Sequence, residues 1–332
     1  MTHDKINASD LKKFLICRSP QIKMETFTVS IVICTYNRPI LLKSTLQSVV
    51  GIDFDPDQFE IIVIDNGNDN QSPDAFASIC RNAPCRMSYA KEEKPGLSHA
   101  RNKGIGLAQG RIVVFLDDDE LVDPGWLKEL IKPYDSDERI ACVGGKIIPV
   151  FPDNKFPSWY SKDIQGFFGG VDNGELIHEV NFPKEYIGGG NMSFNRQVIL
   201  ESGMFNIRLG IIGGSSYSGE ENELAFRIKN KGFKVLYTPF ATTYHLIESE
   251  RISKQFFHKR LFQSGKSEIM YNPANQGSPL FLLIKFTFIL FKSVASYLIS
   301  ATKSEASMMK ASLAVYRTLG KISGCLKLMA SK

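Results

Sequence analysis

Four apolar runs alternate with four segments of helical spacing between residues 29 and 134, and this alternation constrains the fold more than any other feature. Each run is rich in β-branched residues, and apolar residues recur every three or four positions in the segment that follows. This order predicts a doubly wound α/β fold, a mostly parallel sheet with helices on both faces. The predicted strand and helix pairs are Val29–Cys34 with 41–49, Phe59–Ile64 with Pro73–Arg81, Arg86–Ala90 with Leu97–Gln109, and Arg111–Leu116 with Pro124–Tyr134.

Polar residues stand where three of the four runs end. The first run leads into Thr35 and Asn37, the second into Asp65, and the fourth into aspartates at positions 117, 118 and 119. Ligands of open α/β sheets bind beyond the carboxyl ends of the strands, so we expect these side chains to line a ligand site. No G-x-G-x-x-G follows the first strand and no G-x-x-x-x-G-K-[ST] occurs, which disfavours a dehydrogenase and a P-loop enzyme.

The three consecutive aspartates concentrate negative charge at this edge. Like charges in contact raise one another's pKa unless a cation neutralises them. Mg²⁺ or Mn²⁺, held by one or two carboxylates together with substrate phosphates, is the cation that fits this pattern. Alternate residues of an extended segment share a side, which predicts Asp117 and Asp119 as the working pair. A solvated turn that caps the helix beginning at Pro124 is the alternative.

Six motifs resemble those of the family-2 glycosyltransferases and occur in that family's order across residues 28–245. The resemblance implies a GT-A fold, in which a nucleotide-binding parallel sheet is joined to an acceptor-binding half. It also implies an inverting transfer of a sugar from a nucleotide-diphosphate donor, most often a UDP-sugar, onto a hydroxyl of a glycan or lipid-linked acceptor in polysaccharide biosynthesis. The motifs are VSIVICTYNRP at 29–39, IIVIDNG at 61–67, KPGLSHARNKGI at 94–105, VVFLDDDELVDPGWL at 113–127, GGGNMSF at 188–194 and GEENELAFRIKNKGFKVLYTP at 219–239.

Four residues match family positions that bind the donor. Asp65 matches an aspartate that contacts the nucleotide base, and Thr35 and Asn37 match the loop that wraps the nucleoside. Arg101 matches a basic residue near the donor. Each has a plainer alternative, since the first three residues also form turns and Arg101 could be a surface cation on a helix.

The aspartate run and one histidine match the family's metal site. Asp117 matches the first aspartate of the DXD motif, near the ribose and the metal, with Asp118 beside it at the donor. Asp119 matches the aspartate that coordinates the metal between the phosphates. His245 corresponds to a histidine that completes the metal shell in many members, although a lone histidine is more often a core or surface residue.

The acidic cluster at 220–223 occupies the position where the family carries its catalytic base. A carboxylate in a partly dry cleft can be tuned to take the proton from an attacking hydroxyl. Glu221 stands where the family usually has Asp, so it is predicted as the base, with Glu220 as the alternative. An acidic first turn that complements the helix dipole is compatible with that role.

Three glycines precede Asn191, and a plain turn rarely needs three glycines in a row. We expect Gly189, Gly190 and Asn191 to let the backbone approach the donor sugar or the acceptor. Trp126 and Trp159 could stack on a sugar ring, but core packing is the preferred interpretation for both.

The region after residue 250 differs in charge from the rest of the chain. It carries 13 Lys or Arg residues and two acidic residues, Glu268 and Glu305, although the whole chain has a net charge of only +5. Its basic residues alternate with long apolar runs, which favours an anionic membrane surface over nucleic acid as the partner. Pro279–Ala301 is long enough to span a bilayer. Lys285, Lys292 and Ser296 recur on one helical face, which favours a helix lying in the membrane interface, with a spanning helix or a packed core helix as alternatives.

These patterns predict three regions, namely an N-terminal extension at 1–27, a catalytic domain at 28–250 and a basic, apolar helical tail at 251–332. Within the catalytic domain, 28–135 is predicted to bind the nucleotide sugar and 136–250 the acceptor. The six cysteines lack regular spacing, which argues against a zinc site or a disulfide framework. With no secretory signal recognised, we expect a peripheral or monotopic protein at the cytoplasmic face of the inner membrane.

Two rival functions remain open at this point. In the first, the Glu at position 221 has removed the base, which leaves a nucleotide-sugar-binding protein without catalysis. In the second, the chain is a nucleotidyltransferase that makes the activated sugar. Such an enzyme is expected to carry a glycine-rich, basic loop after the first strand, where this chain has TYNRP.

Overall fold

A computed structural model of the chain describes residues 15–17, 27–68, 71–212, 215–217, 219–271 and 278–330. The predicted N-terminal extension at 1–27 therefore lies almost wholly outside the described residues. The strands are β1 Leu15–Cys17, β2 Val29–Thr35, β3 Phe59–Asp65, β4 Arg86–Lys91, β5 Ile112–Asp117, β6 Glu120–Val122, β7 Ile140–Val150, β8 His178–Glu179, β9 Asn191–Asn195, β10 Gly210–Ile212, β11 Ser215–Tyr217 and β12 Lys234–Leu246.

The helices follow the strands in the order that the sequence predicts. They are α1 Pro39–Val50, α2 Ser72–Cys80, α3 Leu97–Leu107, α4 Trp126–Ile131, α5 Arg196–Glu201, α6 Glu220–Asn230, α7 Lys254–Tyr271, α8 Pro279–Ala301 and α9 Glu305–Ala330. The fourth helix is shorter than predicted. It ends at Ile131 and continues as a 3₁₀ turn, Lys132–Asp135, because Pro133 has no N–H to extend the α-helical bonding.

One large sheet positions the site. Its strand order is β1-β4-β3-β2-β5-β9-β7-β12-β6, and β8 pairs with β12. Strands β4, β3, β2 and β5 run parallel, so the carboxyl ends of all four meet at one edge. Beyond β5 the sheet continues with antiparallel pairs, β5 with β9 and β9 with β7. The prediction of a mostly parallel sheet is thus confirmed for the half that carries the first four motifs.

Alternate side chains of the parallel strands enter two separate cores. Ile31 of β2 packs in the core that contains Leu42 of α1 and also receives α2 and α4. Its neighbour Val32 packs in the other core, with Ala100 of α3 and Leu224 of α6. Helices therefore cover both faces of the sheet, which explains why the strands read as continuous apolar runs rather than as alternating ones.

The aspartate run corrects one sequence prediction. β5 ends at Asp117, residues 118 and 119 form a turn, and β6 begins at Glu120, which pairs with His245 of β12. The expectation that Asp117 and Asp119 lie on the same side of an extended segment is therefore wrong. The turn separates the partners of the three carboxylates, since Asp117 contacts Arg101 whereas Asp118 and Asp119 both contact Arg38.

The chain divides into two compact units. The first comprises the described residues up to Ile148 together with Val171–Ile207 and Glu220–His245. The second comprises Pro149–Gly170, Arg208–Gly219 and the described residues from Leu246 onward. The domain boundaries at 28, 136 and 251 follow the motifs rather than this packing, and they stay a prediction.

The helices of the second unit pack closely through glycines. A Cβ at Gly265 of α7 would lie 1.9 Å from the Arg317 carbonyl oxygen of α9, and one at Gly320 of α9 would lie 2.0 Å from that of Phe262. A separate aromatic core joins Trp159 to Phe257 of α7, so the prediction that this tryptophan packs in a core is confirmed.

The cysteines were not expected to form a disulfide framework, and one of the described cysteines is nevertheless in a disulfide. Cys34, Cys85, Cys142 and Cys325 are free, whereas Cys80, at the end of α2, is disulfide-bonded. Within the described residues, no group of three or more His, Cys, Asp or Glu side chains is placed to hold a metal ion by itself.

Candidate active site

The turn after β5 brings two buried carboxylates against the end of β2. Thr35 Oγ1 donates a hydrogen bond to Asp118 Oδ2 at 2.6 Å, and Arg38 Nη1 lies 3.4 Å from Asp118 Oδ1. The same guanidinium nitrogen is 2.8 Å from Asp119 Oδ2. Burial, and then the neighbouring charge of Asp119, raise the pKa of Asp118 to about 7. Burial and the charge of Asp119 therefore make the ionised form of Asp118 less favourable than that of an ordinary aspartate.

Asp119 and His245 form a pair that suits a divalent ion. His245 Nε2 lies 3.3 Å from Asp119 Oδ2, and both side chains are buried. Ligands on adjacent corners of an octahedron lie about 3 Å apart when each is about 2.1 Å from the ion. One oxygen and one nitrogen leave most positions for substrate phosphates and water, which is how Mg²⁺ is usually held. These two residues therefore fit such an ion, although they do not make a cage on their own.

Asp117 belongs to a different group of side chains, centred on Arg101. Arg101 is only 2% exposed, which excludes the surface cation that the sequence left open. Its Nη1 donates to Glu220 Oε1 at 2.8 Å, its Nη2 lies 3.3 Å from Asp117 Oδ1, and Nη2 also donates to the Gly189 carbonyl at 3.1 Å. One buried guanidinium thus joins the end of β5, the glycine segment and the start of α6.

Glu221 lies beside this group without an ion pair to Arg101 among the described contacts. It is half-buried, and its Oε1 accepts a hydrogen bond from Asn222 Nδ2 at 3.1 Å. Burial, followed by the charge of Glu220, raises the pKa of Glu221 to about 8. A carboxylate with so high a pKa is a stronger proton acceptor than an ordinary glutamate.

Asp65, at the end of β3, is held from two sides. Its Oδ2 accepts hydrogen bonds from Tyr89 Oη at 2.6 Å and from Lys91 Nζ at 2.8 Å. Its Oδ1 accepts from the Gly67 backbone N–H at 2.8 Å. Asn37 stands next to this turn in a left-handed conformation, with φ at 54°, and its Oδ1 accepts from the Asn68 N–H. Asn37 therefore shapes the turn, in agreement with the alternative interpretation of this residue as a turn former.

The glycine segment makes close contacts with protein side chains. A Cβ at Gly189 would lie 2.7 Å from Arg101 Nη2, and one at Gly190 would lie 2.0 Å from Glu120 Oε1. Asn191 is fully buried, accepts from Trp126 Nε1 at 2.9 Å, and donates to the Ala241 carbonyl at 2.8 Å. Its side chain therefore holds β9 in the sheet, and Trp126 is a core residue as predicted. The expected approach of this segment to the donor sugar or acceptor stays a prediction.

Arg38 and Glu120 are further site residues, which the sequence motifs contain but do not single out. Glu120 is 2% exposed, and its Oε2 has no hydrogen-bond partner within the described part of the chain. Burial, together with the charge of Asp117, raises the pKa of Glu120 to about 8. Both residues adjoin motif positions, in TYNRP and in DDDE, but only the folded sheet shows that they face the same edge.

Two characterised proteins resemble large parts of the chain. A glucosyl-dolichyl phosphate glucuronosyltransferase of Haloferax volcanii is 26% identical over 264 residues, which cover 76% of this chain and 82% of that protein. A GalNAc(5)-diNAcBac-PP-undecaprenol beta-1,3-glucosyltransferase of Campylobacter jejuni is 27% identical, with 54% of each chain covered.

Two solved structures share the fold. A mannosyltransferase from Pyrobaculum calidifontis, in complex with GDP-Man and Mn²⁺, matches with a TM-score of 0.54 and 17% identity over 92% of this chain and 75% of that chain. GalNAc-T7 with UDP, GalNAc and Mn²⁺ matches with a TM-score of 0.55 and 18% identity over 79% of this chain and 51% of that chain. The likeness supports the predicted GT-A architecture.

The family assignment rests on the first four motifs and the glycine segment together. A model described as glycosyl transferase family 2 matches residues 30–203, which run from the second residue of β2 past the end of β9 and include the aspartate turn. That match covers more than half of the chain and agrees with the resemblance that the sequence motifs carry. The chain therefore belongs to glycosyl transferase family 2.

Proposed function

We propose that this chain is an inverting, metal-dependent glycosyltransferase that moves a sugar from a nucleotide-diphosphate donor, a UDP-sugar in the first instance, to a hydroxyl of a lipid-linked or glycan acceptor in polysaccharide biosynthesis. The observation that carries the proposal is that two adjacent glutamates have different surroundings. Glu220 is ion-paired with buried Arg101, whereas Glu221 is half-buried and has a raised pKa. The carboxylate of Glu220 is therefore fixed by an ion pair, whereas that of Glu221 is available to accept a proton.

Glu221 is the general base in this proposal. It takes the proton from the acceptor hydroxyl as that oxygen forms a bond to the anomeric carbon of the donor sugar. The bond between that carbon and the diphosphate oxygen breaks, and the nucleotide diphosphate leaves with the electron pair. Attack from the face opposite the leaving group inverts the configuration. The raised pKa of Glu221 favours proton removal in the transition state.

The residues at the ends of the parallel strands hold the donor. Asp65 accepts from the base, while Thr35 and Asn37 form the turn beside the nucleoside. Asp117 and Asp118 face the ribose and the diphosphate. Arg101 fixes Asp117 and the Gly189 carbonyl in place, so in our account it positions the donor side of the site relative to α6.

Asp119 and His245 are the proposed protein ligands of Mg²⁺ or Mn²⁺, with Asp117 near the ion. When bound, the ion offsets the negative charge of the diphosphate, which otherwise faces several buried carboxylates. Support comes from the 3.3 Å distance between Asp119 Oδ2 and His245 Nε2. The two structural neighbours carry Mn²⁺ with a nucleotide, which agrees with this assignment.

Helix α8 is the proposed attachment to an anionic membrane surface at the cytoplasmic face of the inner membrane. Pro279–Ser300 is long and apolar enough to cross a membrane, and 11% of its most apolar window is buried. Its inward positions, Leu282, Phe286 and Ser293, pack at helical spacing. Its outward positions are mostly apolar, and the largest exposed side chains are Leu280, Phe281, Ile284, Phe288, Phe291, Leu298 and Ile299.

The exposed lysines favour a helix in the interface over one that spans. Lys285, Lys292 and Ser296 are all exposed and fall at one margin of the apolar face. In an interfacial helix the apolar face enters the acyl region while such lysines reach the headgroups. The relatives named for dolichyl phosphate and undecaprenol compounds are consistent with a lipid-linked acceptor.

A binding protein without catalysis is the alternative function, because the position of the base carries Glu where the family usually has Asp. A screen of nucleotide sugars by thermal shift, with and without Mn²⁺, identifies the donor. A ligand at about 100 times its dissociation constant adds roughly 2.7 kcal/mol of stability. Transfer of the identified sugar to a lipid-linked acceptor supports the enzyme. Stabilisation without turnover of any acceptor or water would favour the binding protein.

A further inference from the structure

Arg38 is a cation at the active-site edge to which neither the motifs nor the proposed chemistry assign a task. It lies between β2 and α1, directly before Pro39, and its side chain is 28% exposed. Its Nη1 is 2.8 Å from Asp119 Oδ2 and 3.4 Å from Asp118 Oδ1. A single guanidinium nitrogen therefore serves two carboxylates that follow one another in the chain.

The two carboxylates need such a partner in the absence of a metal ion. Asp118 is 5% exposed and Asp119 is 3% exposed. A buried carboxylate is costly unless a counter-charge and hydrogen bonds compensate it. Thr35 supplies a hydrogen bond to Asp118, but its hydroxyl carries no charge. Arg38 supplies the charge, and its planar fork is well suited to carboxylates.

The contact with Asp119 uses the same oxygen atom that faces the histidine. Asp119 Oδ2 is the atom closest to Arg38 Nη1 and also the atom 3.3 Å from His245 Nε2. An ion held by this oxygen and by the histidine nitrogen would approach the atom that the guanidinium now contacts. A guanidinium and a divalent ion at the same oxygen atom place two positive charges close together, so each disfavours the other there.

We propose that Arg38 is an internal counter-cation, which holds the aspartate turn in the metal-free enzyme and is displaced from Asp119 when the divalent ion binds. The inference rests on the metal assignment proposed above and adds a competing residue to it. The long, partly exposed side chain of Arg38 can leave the carboxylates without a change in the backbone. A displaced guanidinium is then free to pair with phosphate oxygens, which it can bind through two parallel N–H groups.

The test is calorimetric titration of the full-length protein with Mn²⁺ alone, without donor. The variants are Arg38→Gln, Arg38→Lys and, as a matched control, Lys43→Gln, which removes an exposed charge one turn along α1. If the guanidinium must leave before the ion binds, Arg38→Gln binds Mn²⁺ about tenfold more tightly than the wild type, because the competing state is gone. Arg38→Lys tightens binding less, and Lys43→Gln leaves it unchanged. In chelator, Arg38→Gln unfolds at a lower temperature than Lys43→Gln.

Weaker or unchanged Mn²⁺ binding by Arg38→Gln would overturn the proposal. If Arg38 only supports the turn, Arg38→Gln misplaces Asp119 and weakens Mn²⁺ binding or leaves it as it was. Should Arg38→Gln fail to fold, Arg38→Lys decides, and an affinity equal to or below that of the wild type refutes the inference. Asp119→Asn distinguishes a wrong metal assignment from a wrong role for Arg38. If that variant binds Mn²⁺ normally, the metal assignment itself is wrong; if it does not bind Mn²⁺ and Arg38→Gln fails to tighten binding, only the role of Arg38 is wrong.

Discussion

The two units of the molecule depart in different ways from the usual distribution of side chains in a soluble protein. The first unit, which contains the parallel strands and is here called the sheet unit, buries charge, since Arg101, Asp118, Asp119, Glu120 and Glu220 are each 5% exposed or less. The second unit, which contains α7, α8 and α9 and is called the helical unit, instead exposes apolar surface, with Phe281, Phe288 and Phe291 of α8 all more than 60% exposed. Buried charge without full compensation and large apolar patches in water are both unfavourable.

The difference indicates what each unit lacks in isolation. In our proposal the buried groups of the sheet unit are preorganised for a charged ligand, and the cost of their burial is offset when donor and ion bind. The exposed face of the helical unit is, in the same proposal, covered by a lipid surface that accepts apolar side chains. The first unit is therefore expected to respond to changes in polar ligands and the second to changes in the lipid surface.

The largest effect is expected at the proposed base. Replacing Glu221 with Gln removes the proton acceptor while keeping size and polarity, so the transfer rate should fall by about 100-fold or more. Donor affinity, measured by calorimetry, should remain nearly that of the wild type, because the donor is held by other residues.

Glu220→Gln is the matched control for that experiment. It removes the ion pair with Arg101 and leaves at most a neutral hydrogen bond, so it should lower stability and donor affinity more than it lowers the rate of transfer from bound donor. If Glu220→Gln is the inactive variant and Glu221→Gln turns over normally, the base is misassigned and the two glutamates exchange roles.

The second effect concerns the exposed face of α8. Phe288→Glu combined with Phe291→Glu places two charges on that face, and binding to anionic liposomes should weaken by about tenfold or more. Sedimentation of the full-length protein with vesicles measures the partition. Leu176→Glu, at an exposed apolar residue of the sheet unit, is the control and should leave the partition unchanged. An equal loss of liposome binding in both variants would show that the exposed face of α8 does not determine attachment.

Point substitutions test this helix better than removal of the tail. Shortening the chain at Ser278 removes α9 along with α8, and α9 packs on α7 through Gly265 and Gly320. Loss of that contact exposes apolar surface of α7, so altered sedimentation of a shortened chain would not report on α8 alone. Release of the full chain by high salt or alkaline wash supports an interfacial helix, whereas a need for detergent indicates a spanning one.

The third effect is the pH dependence of transfer. Because the pKa of Glu221 is raised to about 8 and only its deprotonated form accepts a proton, the rate should rise with pH and level off above pH 8. At pH 7 it should be about tenfold below the plateau. The measurement is the single-turnover rate at saturating donor from pH 6 to pH 9. A rate that is constant over this range would contradict the assignment.

The sequence predicted the places where the strands end better than the contacts made there. Asp65 and Asp117 stand at the ends of apolar runs, and the parallel order of β3, β2 and β5 brings them to one edge. The exposure of Lys285 and Lys292 on α8 likewise followed from a simple helical period. Local pattern was sufficient in these cases because neighbouring residues in the chain determine the geometry.

Contacts between distant segments were beyond such reasoning. Arg101 and Glu220 are 119 residues apart, and Arg38 and Asp119 are 81 apart, so their pairing depends on strand order rather than on spacing. The error at Asp117 and Asp119 has a local cause. A run of four acids gives no sign that the strand ends within it, and an extended segment was assumed where the chain turns.

The central claim is that the buried charges of the sheet unit form a metal-dependent donor site. Calorimetric titration of the donor into the full-length protein, with Mn²⁺ and then with excess chelator, tests it most directly. We expect binding with Mn²⁺, loss of measurable binding in chelator, and no binding to Asp119→Asn in either condition, since the diphosphate would face uncompensated carboxylates. Equal donor affinity with Mn²⁺ and with chelator would contradict the account.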